Sequence, residues 1–232
     1  DACVKYGKRM HHVSTDEVFG SLAEDAPKFN ERTTYDPRNP YSATKAAADH
    51  LVRAAIHTHG LKATISNCTN NYGTHLYPEK FLAIAITNVL EGKPIIVHGD
   101  GSQKRDWIHV RDHTRGVMAI LEKSAIGETY LMGGGADLSV LTTARLLISV
   151  MGGKESMISF MPDRQGQDRR YSIDYSKIER DLNWRPQYTL ENGLGEMVDW
   201  YRTHQEWWKP LKDSAGYKAW YTHQVEMAKN QL

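Results

Sequence analysis

The sequence predicts an α/β fold built on a largely parallel sheet, and two observations carry that prediction. Short runs rich in apolar and β-branched residues alternate with segments whose apolar residues recur at helical spacing. Glycines stand where the helical segments should stop, at Gly60 and Gly92. Neither an internal repeat nor a low-complexity tract competes with this reading.

Taken in order, Asp1–Gly7 reads as the end of a helix with Gly7 as its cap. Arg9–Ser14 is a strand, and the polar, proline-containing stretch Glu24–Pro40 is a loop. Tyr41–His59 is a helix, with Pro40 acceptable ahead of its first turn and Gly60 ending it. Lys62–Thr69 is a strand, and Glu79–Glu91 is a helix that stops at Gly92. Ile95–His98, the turn Gly99-Asp100-Gly101 and Asp106–Val110 read as strand, turn and strand. Helices are expected at Arg111–Lys123, Val140–Met151, Ser176–Leu182 and Leu190–Trp207, with strands at Thr129–Met132 and Met157–Phe160.

The chain of 232 residues suits one or two domains. Its 40% hydrophobic and 25% charged content is that of a soluble enzyme, and a net charge of +1 argues against a nucleic-acid or membrane-surface partner. Cys3 and Cys68 fit no metal or redox spacing, which favours a reducing, cytoplasmic setting. No run is long enough to span a bilayer. Of the eleven histidines, His109 and His113 are four apart, but no His-Glu-x-x-His or third ligand accompanies them. No metal site is expected.

The chemistry is concentrated in Ser14-Thr15-Asp16-Glu17, which closes the first strand, and in Tyr41-Ser-Ala-Thr-Lys45 one loop later. Strand ends are where ligands bind in open α/β sheets. Lys45 lies one helical turn beyond Tyr41, so its ammonium is expected to lower the phenol's pKa and make it a base toward a substrate hydroxyl. Standing alone, a Tyr and a Lys four apart are more often a solvated helix face. Adjacent acids are likewise usually just solvated. Here they follow a strand, and divergent side chains let one stay protonated while the other is ionised.

These segments, with Asn70-Asn71-Tyr72-Gly73, Pro78-Glu79-Lys80, Gly99-Asp-Gly-x-x-x-Arg105-Asp106-Trp107 and Asp163-Arg164-x-Gly166-x-Asp168-Arg169-Arg170-Tyr171, occur in family order. The chain resembles the dTDP-glucose 4,6-dehydratases of the extended short-chain dehydrogenase/reductase family. The resemblance implies the C-terminal part of a Rossmann-like parallel sheet plus a smaller α/β substrate-binding domain. Residues 1–75 would be the C-terminal half of the NAD-binding domain with the catalytic residues, and 76–232 mainly the sugar-nucleotide domain, with a return near 105–125. It also implies NAD as cofactor, dTDP-glucose as substrate and a homodimer.

The roles that follow are implied by the same resemblance. Tyr41, supported by Lys45 and Thr15, would take the C4 hydroxyl proton during oxidation. Glu17 would remove the C5 proton, and Asp16 would protonate the departing C6 hydroxyl. Tyr41, Lys45 and Asn71 would contact NAD; Asn70, Glu79, Lys80, Arg105, Arg164 and Tyr171 would contact the sugar nucleotide, with Arg169-Arg170 closing its nucleotide end. The similar GDP-mannose dehydratases typically carry Ser where Asp16 stands. Leu131, where the family often has Asn, and Gln165, where it usually has Pro, depart from the pattern.

No Gly-x-x-Gly-x-x-Gly or Gly-x-Gly-x-x-Gly follows a strand, and Gly133-Gly134-Gly135 has the wrong spacing. The sequence therefore reads as a chain lacking the N-terminal glycine-rich portion, one expected to be inactive and to hold NAD weakly by itself. A GDP-mannose 4,6-dehydratase-like enzyme and a non-catalytic nucleotide-sugar-binding module are the alternatives.

Overall fold

Strands and helices alternate as the sequence predicts, in a computed structural model that describes residues 1–163 and 168–229. The elements begin α1 (Ala2–Lys5), β1 (Met10–Thr15), α2 (Pro40–His59), β2 (Ala63–Cys68), β3 (Asn70–Tyr72), α3 (Phe81–Leu90), β4 (Ile95–His98), β5 (Lys104–His109) and α4 (Val110–Lys123). They continue with β6 (Thr129–Met132), β7 (Asp137–Ser139), α5 (Val140–Met151), β8 (Ile158–Met161), α6 (Ser176–Leu182), α7 (Leu190–Thr203), α8 (Gln205–Asp213) and α9 (Ala215–Lys229). Asp1–Asn71, Lys104–Asp137 and Asp168–Thr189 form one unit, while Tyr72–Gln103, Leu138–Gln167 and Leu190–Leu232 form another. The second return to the first unit, at Asp168, has no sequence signal.

In the first unit β2 lies between β1 and β6, with both pairings parallel. Every residue of β2 is buried, as a central strand covered on both faces requires. The pairings Thr15↔Cys68 and Cys68↔Met132 bring the C-terminal ends of the three strands level. Helix α2 starts with a capping box: the Asn39 side chain accepts from the Ser42 amide at 2.8 Å, and Ser42 Oγ accepts from the Asn39 amide at 3.2 Å. It ends at Gly60, whose φ of 62° is the left-handed conformation glycine tolerates best.

The glycine run at 133–135 is a close backbone approach. A Cβ on Gly134 would stand 1.8 Å from the Trp107 carbonyl oxygen, and one on Gly133 would stand 2.5 Å from Asp106 Oδ2. Leu131 is fully buried in a cluster with Val18, Phe29 and Ile173. That position serves the core.

His11 gives this sheet a pH dependence. Its ring nitrogens bond Thr64 Oγ1 and Ser66 Oγ on β2, each at 2.9 Å. Burial first, and then the nearby charges of His113, His12 and Arg9, lower its pKa from 6.5 to about 4. Between those values the unfolded chain binds the proton and the folded chain does not, so stability falls as pH drops from about 6.5 toward 4. The loss is at most about 3 kcal/mol. Calorimetry across this range should show a falling Tm, with a shallower slope in His11→Gln; equal slopes would contradict the assignment.

In the second unit β4 pairs in parallel with β8. The expected single helix Leu190–Trp207 is two helices, Leu190–Thr203 and Gln205–Asp213, because His204 between them leaves the helical conformation at φ −118° and ψ 47°. Thr203 Oγ1 donates to the Asp199 carbonyl at 2.9 Å, and the His204 ring bonds the Trp200 carbonyl at 2.9 Å. The aromatic tail then folds back. Trp208 is fully buried, Tyr217 donates to the Pro78 carbonyl at 3.0 Å, and Lys212 Nζ reaches Thr87, Asn88 and Glu91 at 3.0–3.1 Å. Among the described residues, no helix is long and apolar enough to cross a membrane.

Candidate active site

The acid pair stands on a single 3-10 turn, Asp16–Phe19, directly after β1. Thr15 caps it: its Oγ1 accepts from the Glu17 amide at 3.3 Å and donates to Asp16 Oδ1 at 3.3 Å. Val18 and Phe19 are buried beneath the turn and pack with Ala46 of α2. Burying a phenylalanine contributes about 1.5–3 kcal/mol, so the core itself fixes where the acids leave the strand. Gly20 ends the turn at φ 82°, where a Cβ would sit 2.5 Å from the Asp36 carbonyl oxygen.

The two carboxyls have different surroundings. Asp16 is 2% exposed, and its Oδ2 has no partner. Burial, then the charges of Glu17 and Asp106, push its pKa well above the usual carboxylate range, against the Thr15 hydrogen bond and the Arg105 charge. Its surroundings therefore favour the neutral form of the carboxyl. Glu17 is half-buried and accepts at 3.4 Å from the Asn39 carboxamide, the same group that caps α2.

Tyr41 opens α2 with 55% of its surface exposed and the acid pair nearby. The expectation that Lys45 lowers its pKa is corrected. Burial and the charges of Glu17, Cys68 and Asp16 raise it, while the Thr15 hydroxyl pulls the other way. Lys45 Nζ instead donates to the Val13 carbonyl at 2.9 Å. The Cys68 thiol, at the end of β2, is pushed up to about 12 by burial and by Asp16, which keeps it neutral.

Arg105 belongs to the same unit. Its guanidinium lies 4.6 Å from the Tyr171 ring centroid and donates to the carbonyls of Lys104 at 2.8 Å and Asp168 at 3.0 Å. Tyr171 is buried, and its hydroxyl donates to the Asp168 carboxylate, so it seats Arg105 rather than projecting toward a ligand. Arg170 is likewise engaged: it pairs with Asp137 at 2.5 Å and donates to the Ala26 carbonyl at 2.7 Å. Its reading as a nucleotide clamp is corrected to a structural one. Arg169 is exposed.

Asn70 and Asn71 follow β2, each with a buried, unpartnered Oδ1, as has Thr69 Oγ1. Asn71 Nδ2 donates to Cys68 Sγ at 3.3 Å and to the Thr69 carbonyl at 3.2 Å. Glu79 and Lys80 form an ion pair at 3.3 Å in the second unit, just ahead of α3. Arg164 and Gln165 lie outside the described residues. Asn39, Asp49 and Asn67 were not singled out by sequence, although Asn39 is signalled by its capping position.

The first unit thus gathers a buried acid, a second carboxylate, a phenol, a lysine and an arginine around one strand end. A family model described as GDP-mannose 4,6 dehydratase matches residues 1–197. The chain is 48% identical over 216 residues to the dTDP-glucose 4,6-dehydratase of Mycolicibacterium smegmatis, covering 92% of this chain and 65% of the relative. The NAD complex of the dTDP-glucose 4,6-dehydratase from Bacillus anthracis is similar in structure, with a TM-score of 0.87 and 40% identity over 91% of this chain and 67% of that one. The corresponding enzyme of Streptomyces venezuelae, solved with NAD bound, gives 0.87 and 41%, over 90% and 65%. The chain spans 65% of the length of its mycobacterial relatives.

Proposed function

From the premise that the chain belongs to the GDP-mannose 4,6-dehydratase family, we propose that it acts as a dTDP-glucose 4,6-dehydratase, forming dTDP-4-keto-6-deoxyglucose and water. The observation that carries this reading is the buried Asp16 carboxyl on one turn with Glu17, next to Tyr41. An enzyme that only oxidises and reduces C4 has no use for an acid and a base together. Elimination needs both.

The unpartnered oxygens of Asn71 and Thr69, with the exposed Tyr41, fit a polar cofactor at the strand ends. Tyr41, Lys45 and Asn71 would hold NAD there. Bound oxidised NAD supplies a hydride acceptor that later returns the hydride, and a positive charge that offsets the carboxylates around Tyr41. Tyr41 takes the C4 hydroxyl proton, with Thr15 hydrogen-bonded to the phenol. The C4 ketone acidifies the C5 hydrogen, which Glu17 removes, and Asp16 gives its proton to the departing C6 hydroxyl. The bound cofactor would supply that hydride at C6, so that the product forms with no net redox change. Arg105 would bind the diphosphate and Asn70 the sugar nucleotide; the substrate-binding roles of Glu79, Lys80 and Arg164 rest on the family resemblance alone. We also place the protein in the cytoplasm, in keeping with its free cysteines. A homodimer would use the outer face of α2, where Leu51 is 70% exposed.

The family model's description makes a GDP-mannose substrate the second reading, and Asp16 argues against it. With NAD, the protein that carries this chain should convert dTDP-glucose to a product lighter by one water, followed by mass spectrometry, and leave GDP-mannose unchanged. Turnover of GDP-mannose with none of dTDP-glucose would overturn the assignment.

A further inference from the structure

The last carbonyls of β1 are held by side chains. Lys45 Nζ donates to the Val13 carbonyl at 2.9 Å, Cys68 Sγ to that of Ser14 at 3.5 Å, and Asn67 Nδ2 to that of Thr15 at 3.0 Å. The third contact decides how the acid turn begins, because the Thr15 peptide leads directly into Asp16. Asn67 does not hold it alone. The same Nδ2 donates to Asp49 Oδ2 at 3.2 Å.

Asp49 is fully buried on α2, one turn beyond Lys45. Its Oδ1 meets His12 Nε2 at 2.9 Å, and its Oδ2 also accepts from the Tyr35 hydroxyl at 2.7 Å. Burial pushes the carboxyl up, yet the His12, Tyr35 and Asn67 hydrogen bonds pull it below the usual range, so it is ionised.

We propose that Asp49 is a positioning residue of this site: it orients the Asn67 carboxamide, which fixes the Thr15 carbonyl and hence the direction of Asp16 and Glu17. The argument is one of donors and acceptors. Both neighbours of the Asn67 amide nitrogen are acceptors, a carbonyl and a carboxylate, so only the NH2 can face them. Its oxygen is left buried without a partner. That unpartnered oxygen gives the carboxamide no hydrogen bond of its own that would fix which way round it sits. Turning it would set oxygen against the Asp49 carboxylate and release Thr15. The ionised carboxylate therefore keeps the amide in place without touching substrate. The inference rests on the elimination roles given to Asp16 and Glu17.

Helix α2 reaches β1 through Lys45, through the direct Asp49–His12 pair, and through Asp49 and Asn67 together, and these ties act on different groups. Lys45 holds Val13 near Tyr41, while Asp49 acts through Asn67 on the acid turn. Asp49→Asn and Asn67→Ala should therefore slow water loss about 10- to 100-fold while changing the initial oxidation by less than about threefold. Reduced nicotinamide should then build up during turnover of dTDP-glucose, and KM should barely move. In the 232-residue chain by itself, amides 15–19 should exchange with deuterium faster in both variants than in wild type. Should Asp49→Asn fail to fold, Asn67→Ala carries the test, since it leaves the carboxylate with His12 and Tyr35. Equal slowing of both steps, or unchanged exchange at 15–19, would overturn the proposal. A wild-type protein inert toward dTDP-glucose would defeat the functional reading instead, and the exchange arm would still decide the role of Asp49.

Discussion

Glu17→Gln and Asp16→Asn are each expected to lower dTDP-glucose turnover about 10²–10⁴-fold while leaving the C4 oxidation in place. The acids lie on the turn after β1, and the phenol lies on α2, so the two chemical steps are mounted on separate elements. Neither substitution changes side-chain size, and Val18 and Phe19 keep the turn packed. In rapid-mixing experiments both variants should show reduced nicotinamide without release of water. Asp16→Asn should be the harsher where the C6 hydroxyl must leave, because Asp16 is the buried carboxyl whose surroundings favour the protonated form. Wild-type turnover in Glu17→Gln would remove Glu17 as the C5 base.

Tyr41→Phe is expected to abolish the first step, so that neither reduced nicotinamide nor product is seen. A lowered rate of about 10²–10⁴-fold is the range for a lost base. The structure adds a pH dependence. Burial first, and then the Glu17 carboxylate, raise the Tyr41 phenol. The oxidation rate should therefore rise with pH on the alkaline side of neutrality. Removing that charge in Glu17→Gln should move the rise to lower pH. A Glu17→Gln profile that overlays wild type would show that the carboxylate does not act on the phenol.

Much of this was legible in the sequence where local chemistry is strong. Asn39-Pro40 and Gly60 mark both ends of α2, and the buried run Ala63–Cys68 announces a central strand. Side-chain destinations were less legible, because they depend on contacts between distant segments. Lys45 shares a helix face with Tyr41, yet its ammonium is taken by the Val13 carbonyl 32 positions away. Tyr171 and Arg170 looked like ligand contacts by motif, and burial turned them into supports for Arg105 and for the loop at Ala26. Asn67 and Asp49 carry no motif at all. They become recognisable only once parallel pairing sets Asn67 beside Ser14.

The central claim is that one site oxidises C4, eliminates across C5 and C6, and returns the same hydride to C6. The direct measurement uses dTDP-glucose deuterated at C4, with the product examined by NMR after conversion by the protein that carries this chain. The account predicts the label at C6, in the methyl group of the 4-keto-6-deoxy sugar. Loss of the label to solvent, or a 4-keto product that still holds its C6 hydroxyl, would contradict it.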